Sequence, residues 1–339
     1  MISKIYDKLK NFIKENYKQL LFLVALFVFV NYPLNCTVMV SGGTIDINDR
    51  IEISSKTTNK GSFNMAYVTE LKGTIPTVLL SYVIPSWSKV DLEEYQVDSG
   101  ETEEDITSRS KVYLEYSKQS AIKTAFDKAG LSNQFKVNNK KFYVIYVDDD
   151  ADTNVKTGDI ILKVNNKKLE EMNDYKELVK NHKVGDKLSL IIDRKGKEIE
   201  TFITVKNIDN EKITGISVLQ LYSYETNPTV KLKFKENESG SSGGLMLSLA
   251  IYDKLTNSNL TGGKKIVGTG TIDFDGNVGE IDGVEYKLKG AVKAKADVFI
   301  APYGDNYNDC VKLKKKYGYK IKIISAKTFD EAVSKLKNL

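Results

Sequence analysis

The stretch Gly244–Leu255, GLMLSLAIYDKL, constrains this chain more than any other. It is apolar nearly all the way round a helix, so it cannot lie with one face in water and must be enclosed by other elements. A Gly/Ser turn, NESGSSG (Asn237–Gly243), leads straight into it. The first turn of that helix therefore sits at the base of a cleft or in the core, with free N–H groups and the positive end of the helix dipole aimed at one spot. A serine there has two readings. Ser241 or Ser242 caps the helix. Alternatively, glycine-permitted backbone presents a serine hydroxyl beside amides that stabilise a developing oxyanion.

Ile266–Pro302 reads as strand, turn, strand, helix, strand, and its helix brings in a second reactive group. On a wheel starting at Val284, Leu288, Ala291 and Val292 form the apolar face, with Ala294 near its edge. Lys287 falls between Ala291 and Ala294, on that face, while Lys289 and Lys293 lie opposite. Lys295 also projects toward the apolar side, at the frayed end where it reaches water. A desolvated lysine can act as a neutral general base. A buried lysine in a structural pair is the other reading.

Absences exclude several chemistries. The single histidine, His182, stands in the polar stretch NHKVGDK, which predicts a solvated loop. With one imidazole and only Cys36 and Cys310, the chain cannot build a thiolate zinc site. A Cys36–Cys310 disulfide is conceivable outside a cell. Asp148, Asp149, Asp150 and Asp152 lack the spaced ligand loop and closing glutamate of a calcium site and read as a turn. Fifty basic residues are offset by 45 acidic ones, with no arginine-rich stripe, so nucleic acid is not an expected partner. No metal and no cofactor are expected.

Leu20–Val30, LLFLVALFVFV, is preceded by Lys4, Lys8, Lys10, Lys14 and Lys18, and no basic residue follows until Arg50. That asymmetry predicts the N-terminus inside and the remainder outside a cell membrane. A single-pass anchor running from Tyr17 to Leu34 is the expectation, with Lys18 snorkelling to the interface; a cleaved signal peptide and a buried core helix are the alternatives. Thr37 to about Tyr95 reads as strands, TVLLSYVIP included, and Gly100–Asp105 as a polar connection. Ser108–Ala129 reads as a helix with Gly130 as its C-cap glycine.

Residues Asn138–Lys206 form a compact module with GDIILKVN (Gly158–Asn165) and GDKLSLIIDRKGK (Gly185–Lys197). The module resembles a bacterial PDZ domain. That resemblance implies capture of an extended peptide by strand addition, in a groove around Lys140–Tyr146.

The region from Val230 to Val333 resembles the proteolytic domain of the Lon peptidase family. The family's GPSAG signature matches Gly240-Ser241-Ser242-Gly243-Gly244, placing Ser242 at the nucleophile position. Its lysine segment matches Asp282-Gly283-Val284-Glu285-Tyr286-Lys287-Leu288. The resemblance implies a Ser242–Lys287 dyad, support for the lysine from Thr269 in GTGTI, and an oxyanion hole from amides around Ser242 and Gly243. Ser241 replaces the family's proline and Gly243 its alanine. The order of anchor, PDZ-like module and Lon-like domain resembles the membrane-bound PDZ–Lon proteases of Gram-positive bacteria.

The expected fold class is α+β: an N-terminal transmembrane helix, a β-rich segment, a PDZ-like domain and a Lon-type α+β proteolytic domain. The expected boundaries are 1–35 for a cytoplasmic basic tail and anchor, 36–137 for an extracellular β-rich segment with a helix, 138–207 for the PDZ-like domain and 208–339 for the proteolytic domain. The expected activity is ATP-independent serine endopeptidase, since no GxxxxGK(S/T) phosphate loop occurs. The expected partners are peptide or protein substrates and, through the anchor, membrane lipid; an oligomer is compatible with the sequence. A catalytically silent PDZ-type scaffold is the alternative, and a structural envelope protein a third reading.

Overall fold

The computed structural model describes residues 2–54, 60–208 and 210–339, with the side chains of Ile2, Ser3 and Lys4 outside what is described. In chain order come α1 (Ile2–Asn31), β1 (Pro33–Asp46), β2 (Ser62–Thr74), α2 (Ile75–Val83), β3 (Trp87–Asp91) and α3 (Glu103–Lys128). Then follow β4 (Phe135–Val147), β5 (Ile160–Val164), α4 (Met172–Asn181), β6 (Lys187–Arg194), β7 (Lys197–Thr204) and β8 (Ile216–Thr226). The C-terminal part holds α5 (Gly244–Thr256), β9 (Lys265–Gly268), α6 (Val284–Lys293), β10 (Val298–Pro302), α7 (Asp305–Tyr317), β11 (Lys322–Ala326) and α8 (Phe329–Lys337). The chain divides into two compact units: Met1–Ser41 with Val68–Glu94, and Gly42–Tyr67 with Tyr95–Leu339.

In the first unit β1 pairs antiparallel with β3, from Cys36 opposite Asp91 to Val40 opposite Trp87. The stretch TVLLSYVIP is not a strand but mostly the helix α2. Thr77 Oγ1 accepts the Thr74 N–H at 2.8 Å, and Pro76 occupies the first turn, where a missing N–H costs nothing. No residue of α2 is buried, and Leu79, Tyr82 and Val83 are exposed.

No helix among the described residues is long and apolar enough to cross a membrane, contrary to the transmembrane expectation. The run Leu20–Val30 covers roughly 16 Å at ~1.5 Å per residue, about half of a hydrocarbon core. The extension to Leu34 is not made, because α1 ends at Asn31 and Pro33 and Leu34 open β1.

Two larger sheets and three two-stranded ones contribute to the second unit. In the parallel one, β9 lies between β10 and the start of β2, with Ile266 opposite Val298 on one side and Phe63 on the other. β11 continues it beyond β10. Alternation sorts the side chains. Ile266, Val298 and Ile300 face a core built with α3, α5 and α8, including Phe126, Leu245, Leu249 and Phe329. Val267, Phe299 and Ala301 face a second core with α6 and α7, including Val284, Leu288 and Cys310. Both faces are thus covered, as a parallel sheet requires. α5 is walled in, Gly244 through Ile251 being buried.

The other sheet is antiparallel, in the order β8-β4-β5-β6-β7, over a core of Phe142, Val144, Leu188, Leu190 and Ile192 with α4. This corrects the expected groove. Lys140–Tyr146 lies in β4, an inner strand paired along its length with β8 and, at Phe142 and Tyr143, with β5 on the other side. The end strands are β7 and β8; β8 enters through Gly215 at φ +73 and lies outside the 138–207 stretch.

α3 starts earlier than expected, since Thr102 and Asp105 form a reciprocal capping box (Asp105 N to Thr102 Oγ1, 3.2 Å; Thr102 N to Asp105 Oδ2, 3.1 Å). Gly130 closes it at φ +74. His182 is not in a solvated loop: it is half-buried at the end of α4, its Nδ1 2.7 Å from the Leu178 carbonyl. Cys36 and Cys310 are both buried and free, so no disulfide joins them. Asp148 and Asp150 make a turn, Asp148 Oδ1 accepting the Asp150 N–H at 2.9 Å. No group of three or more His, Cys, Asp or Glu among the described residues is placed to hold a metal.

Candidate active site

The Gly/Ser turn before α5 is anchored at four points. Gly240, at φ +88, gives its N–H to the Ser110 carbonyl of α3 at 3.0 Å. The Ser241 carbonyl accepts the Ser117 hydroxyl at 3.0 Å and the Gly244 N–H at 3.1 Å. The Ser242 carbonyl accepts the Gly270 N–H at 2.7 Å and the Thr269 hydroxyl at 3.0 Å. Upstream, Glu238 takes the Arg50 guanidinium at 2.6 Å and the Lys235 N–H at 2.8 Å. Burial pushes the Glu238 carboxyl up, but those two donors outweigh it and hold it below the usual carboxylate range.

A trans peptide group points its N–H opposite to its C=O. Fixing the Ser241 and Ser242 carbonyls therefore fixes the directions of the Ser242 and Gly243 N–H groups. Among the described residues neither N–H is given to an acceptor. Close packing leaves the turn little room. A Cβ on Gly243 would lie 2.9 Å from Met65 Sδ, and one on Gly244 2.7 Å from Ser117 Oγ. Ser242 itself is half-buried, so its turn reaches solvent while the helix behind it does not.

Lys287 lies in the first turn of α6 and is 4% exposed, on the face that buries Val284, Leu288 and Ala291. Lys293 is exposed, as the wheel predicts, whereas Lys289 is half-buried and pairs with Glu285 at 2.6 Å. The approach to α6 is held by Asn306, whose side chain accepts the Ile281 N–H at 2.8 Å and donates to the Ile281 carbonyl at 2.9 Å. Thr269 is fully buried between β9 and the next turn. Its hydroxyl donates to the Ser242 carbonyl, so it contacts the backbone of Ser242. The sequence-predicted Ser242, Gly243 and Thr269 are thus brought into one hydrogen-bonded turn, with Lys287 on the buried face of α6.

Several contributors escaped the sequence reading. Ser110 and Ser117 of α3, together with Arg50 and Asn306, hold the site from distant parts of the chain. The available signal was the seven-residue spacing of the hydroxyls of Ser117 and Thr124, which puts them on one helix face; Ser110 acts through its backbone carbonyl. Thr124 Oγ1 donates to the Asp273 carbonyl at 3.1 Å. On another side of α3, Gln119 Oε1 takes the Tyr222 N–H of β8 at 2.8 Å. A cleft of about 1120 Å³ runs beside α3, lined among others by Ser108, Glu115, Tyr143, Thr157, Phe234 and Glu238. Glu238, four positions before Ser242 in the chain, is among its lining residues and Ser242 is not.

A family model described as PDZ domain matches residues 129–205, and one described as Lon protease (S16) C-terminal proteolytic domain matches residues 236–337. No curated protein matches the chain. Among solved structures, the chain is similar to the PDZ domain of the SdrC-like protein (Lmo2051) from Listeria monocytogenes: 24% identity, 25% of this chain and 93% of that one, TM-score 0.23. It is also similar to the second domain of the listeria protein Lin2157: 22% identity, 25% of this chain and 88% of that one, TM-score 0.22. The chain carries a PDZ domain followed by the C-terminal proteolytic domain of the Lon protease family, S16, the combination of a PDZ–Lon-type protease.

Proposed function

We propose that this protease is an ATP-independent serine endopeptidase in which Ser242 attacks the scissile carbonyl and neutral Lys287 removes its proton. The observation that carries this reading is the double anchoring of the turn: both peptide groups flanking Ser242 are pinned by their carbonyls. The N–H groups of Ser242 and Gly243 are then the donors for the tetrahedral oxyanion, already oriented before substrate arrives. Lys287 passes the proton to the leaving amine, and water afterwards hydrolyses the acyl-enzyme with the same lysine as base. Burial among Val284, Leu288 and Ala291 suits an amine that must work uncharged. Thr269, having donated its proton to the Ser242 carbonyl, keeps lone pairs that can accept from Lys287.

Substrates in this reading are secreted or membrane-tethered peptides and proteins outside the cytoplasm. An extended segment would add along the part of the outer edge of β8 away from Tyr222, whose N–H is taken by Gln119. Membrane contact would come from the first unit. There the exposed run Leu20–Val30 and the unburied helix α2 follow the lysines of α1 in the chain. An apolar surface next to basic residues suits an anionic lipid surface.

The purified chain is expected to cleave an unstructured peptide without nucleotide and in the presence of a chelator, and Ser242→Ala to bind the same peptide without cutting it. A wild-type chain that only binds would leave the scaffold reading in its place. In intact cells, a C-terminal reporter is expected to be digested by protease added outside; full protection would refute the location.

A further inference from the structure

The helix α3 lies outside both matched regions, 129–205 and 236–337, yet it touches the nucleophile turn twice. We propose that Ser117 is a positioning residue for the cleavage reaction, aiming the Ser242 N–H at the oxyanion through the Ser241 carbonyl. This inference rests on Ser242 being the nucleophile.

The geometry is short and direct. Ser117 is 1% exposed, and its hydroxyl donates to the Ser241 carbonyl at 3.0 Å. That carbonyl and the Ser242 N–H belong to one rigid peptide plane, so a rotation of either is a rotation of both. The opposite wall is fixed as well. Gly244 donates to the same carbonyl at 3.1 Å, and the space beside Gly244 is filled by Ser117 Oγ itself. Two turns toward the N-terminus of α3, the Ser110 carbonyl holds Gly240, where a positive φ reverses the chain into the turn. The family's signature has proline at the position of Ser241. A proline would restrict this backbone through its ring; here the restraint comes from a hydroxyl on a neighbouring helix. Ser117 contacts no reacting atom in this scheme. It sets the angle of one that does.

The test uses the full chain and a short fluorogenic peptide. Ser117→Ala is expected to lower kcat by about 10- to 100-fold with KM within about twofold, because a misaimed donor is felt in the transition state. A peptide aldehyde, whose adduct with serine carries the tetrahedral oxygen, is expected to bind Ser117→Ala more weakly by the same factor as kcat/KM falls. Ser117→Thr restores the hydroxyl and is expected to recover most of both. A folded Ser117→Ala enzyme with unchanged kcat and unchanged aldehyde affinity would overturn the proposal. So would a kcat loss that Ser117→Thr fails to recover and that leaves aldehyde affinity untouched, since that pattern belongs to packing. The dyad itself is judged separately by Ser242→Ala: full activity there refutes the nucleophile, whereas an inert Ser242→Ala beside a fully active Ser117→Ala refutes only the positioning role.

Discussion

Lys287→Arg is expected to reduce peptide cleavage by about 100- to 10,000-fold, nearly as far as Ser242→Ala, while leaving the protein folded. Arginine keeps the positive charge and most of the length, but its guanidinium does not give up a proton inside a protein. A base that cannot become neutral cannot take the Ser242 proton. If Lys287 were only half of a structural ion pair, arginine would serve in its place and activity would survive. Protease resistance and the thermal midpoint should be measured alongside the rate, because Lys287 is 4% exposed and a longer head group must fit beside Leu288. An active, folded Lys287→Arg enzyme removes the lysine from the mechanism even if Ser242 remains essential.

A comparable loss is expected from a residue outside the matched proteolytic domain. Phe126 of α3 is fully buried against the α5 side of the parallel sheet, in one core with Leu245, Leu249 and Phe329. Phe126→Ala is expected to cost about 3–5 kcal/mol, from the lost burial and the cavity left behind. Against a typical total of about 5–15 kcal/mol, that removes a large share of the stability. The thermal midpoint of the full chain should fall by several degrees or more, and cleavage should be lost at temperatures the wild type tolerates. The same reasoning extends to fragments. A chain of residues 208–339 lacks both α3, which covers α5, and the start of β2, which pairs with β9 from Ser62 to Met65. Ile266, Leu245 and Leu249 would then face water, and no cooperative unfolding transition should be seen by circular dichroism. A fragment that melts cooperatively and cleaves peptide would show that those additions are dispensable.

What the sequence by itself determined is local. A helix apolar on all sides must be enclosed, and Gly244–Thr256 is enclosed. Helical spacing put Lys287 on the buried face of α6 and left Lys293 in solvent, because the wheel needs only the 3.6-residue period. GDIILKVN and GDKLSLIIDRKGK were enough for the PDZ domain, whose pairing of β6 with β7 is a hairpin between neighbours in the chain. The helix α2 lay on the borderline. Its residues suit a strand as well as a helix, and the Thr74–Thr77 cap with Pro76 decided the matter. The apolar run before Pro33 had the composition of a span but not the length.

Tertiary structure alone decided which segments meet. Nothing in the residues of α3 says that Ser117 will find Ser241 more than a hundred positions later, or that Gln119 will meet β8. Nor does β8 announce itself as an end strand of the antiparallel sheet, since strand order is set by which hydrophobic faces can be covered together and not by any short motif. Contacts of that separation depend on the packing of the whole core. A periodic pattern records which face of an element is buried, and leaves unsaid what buries it.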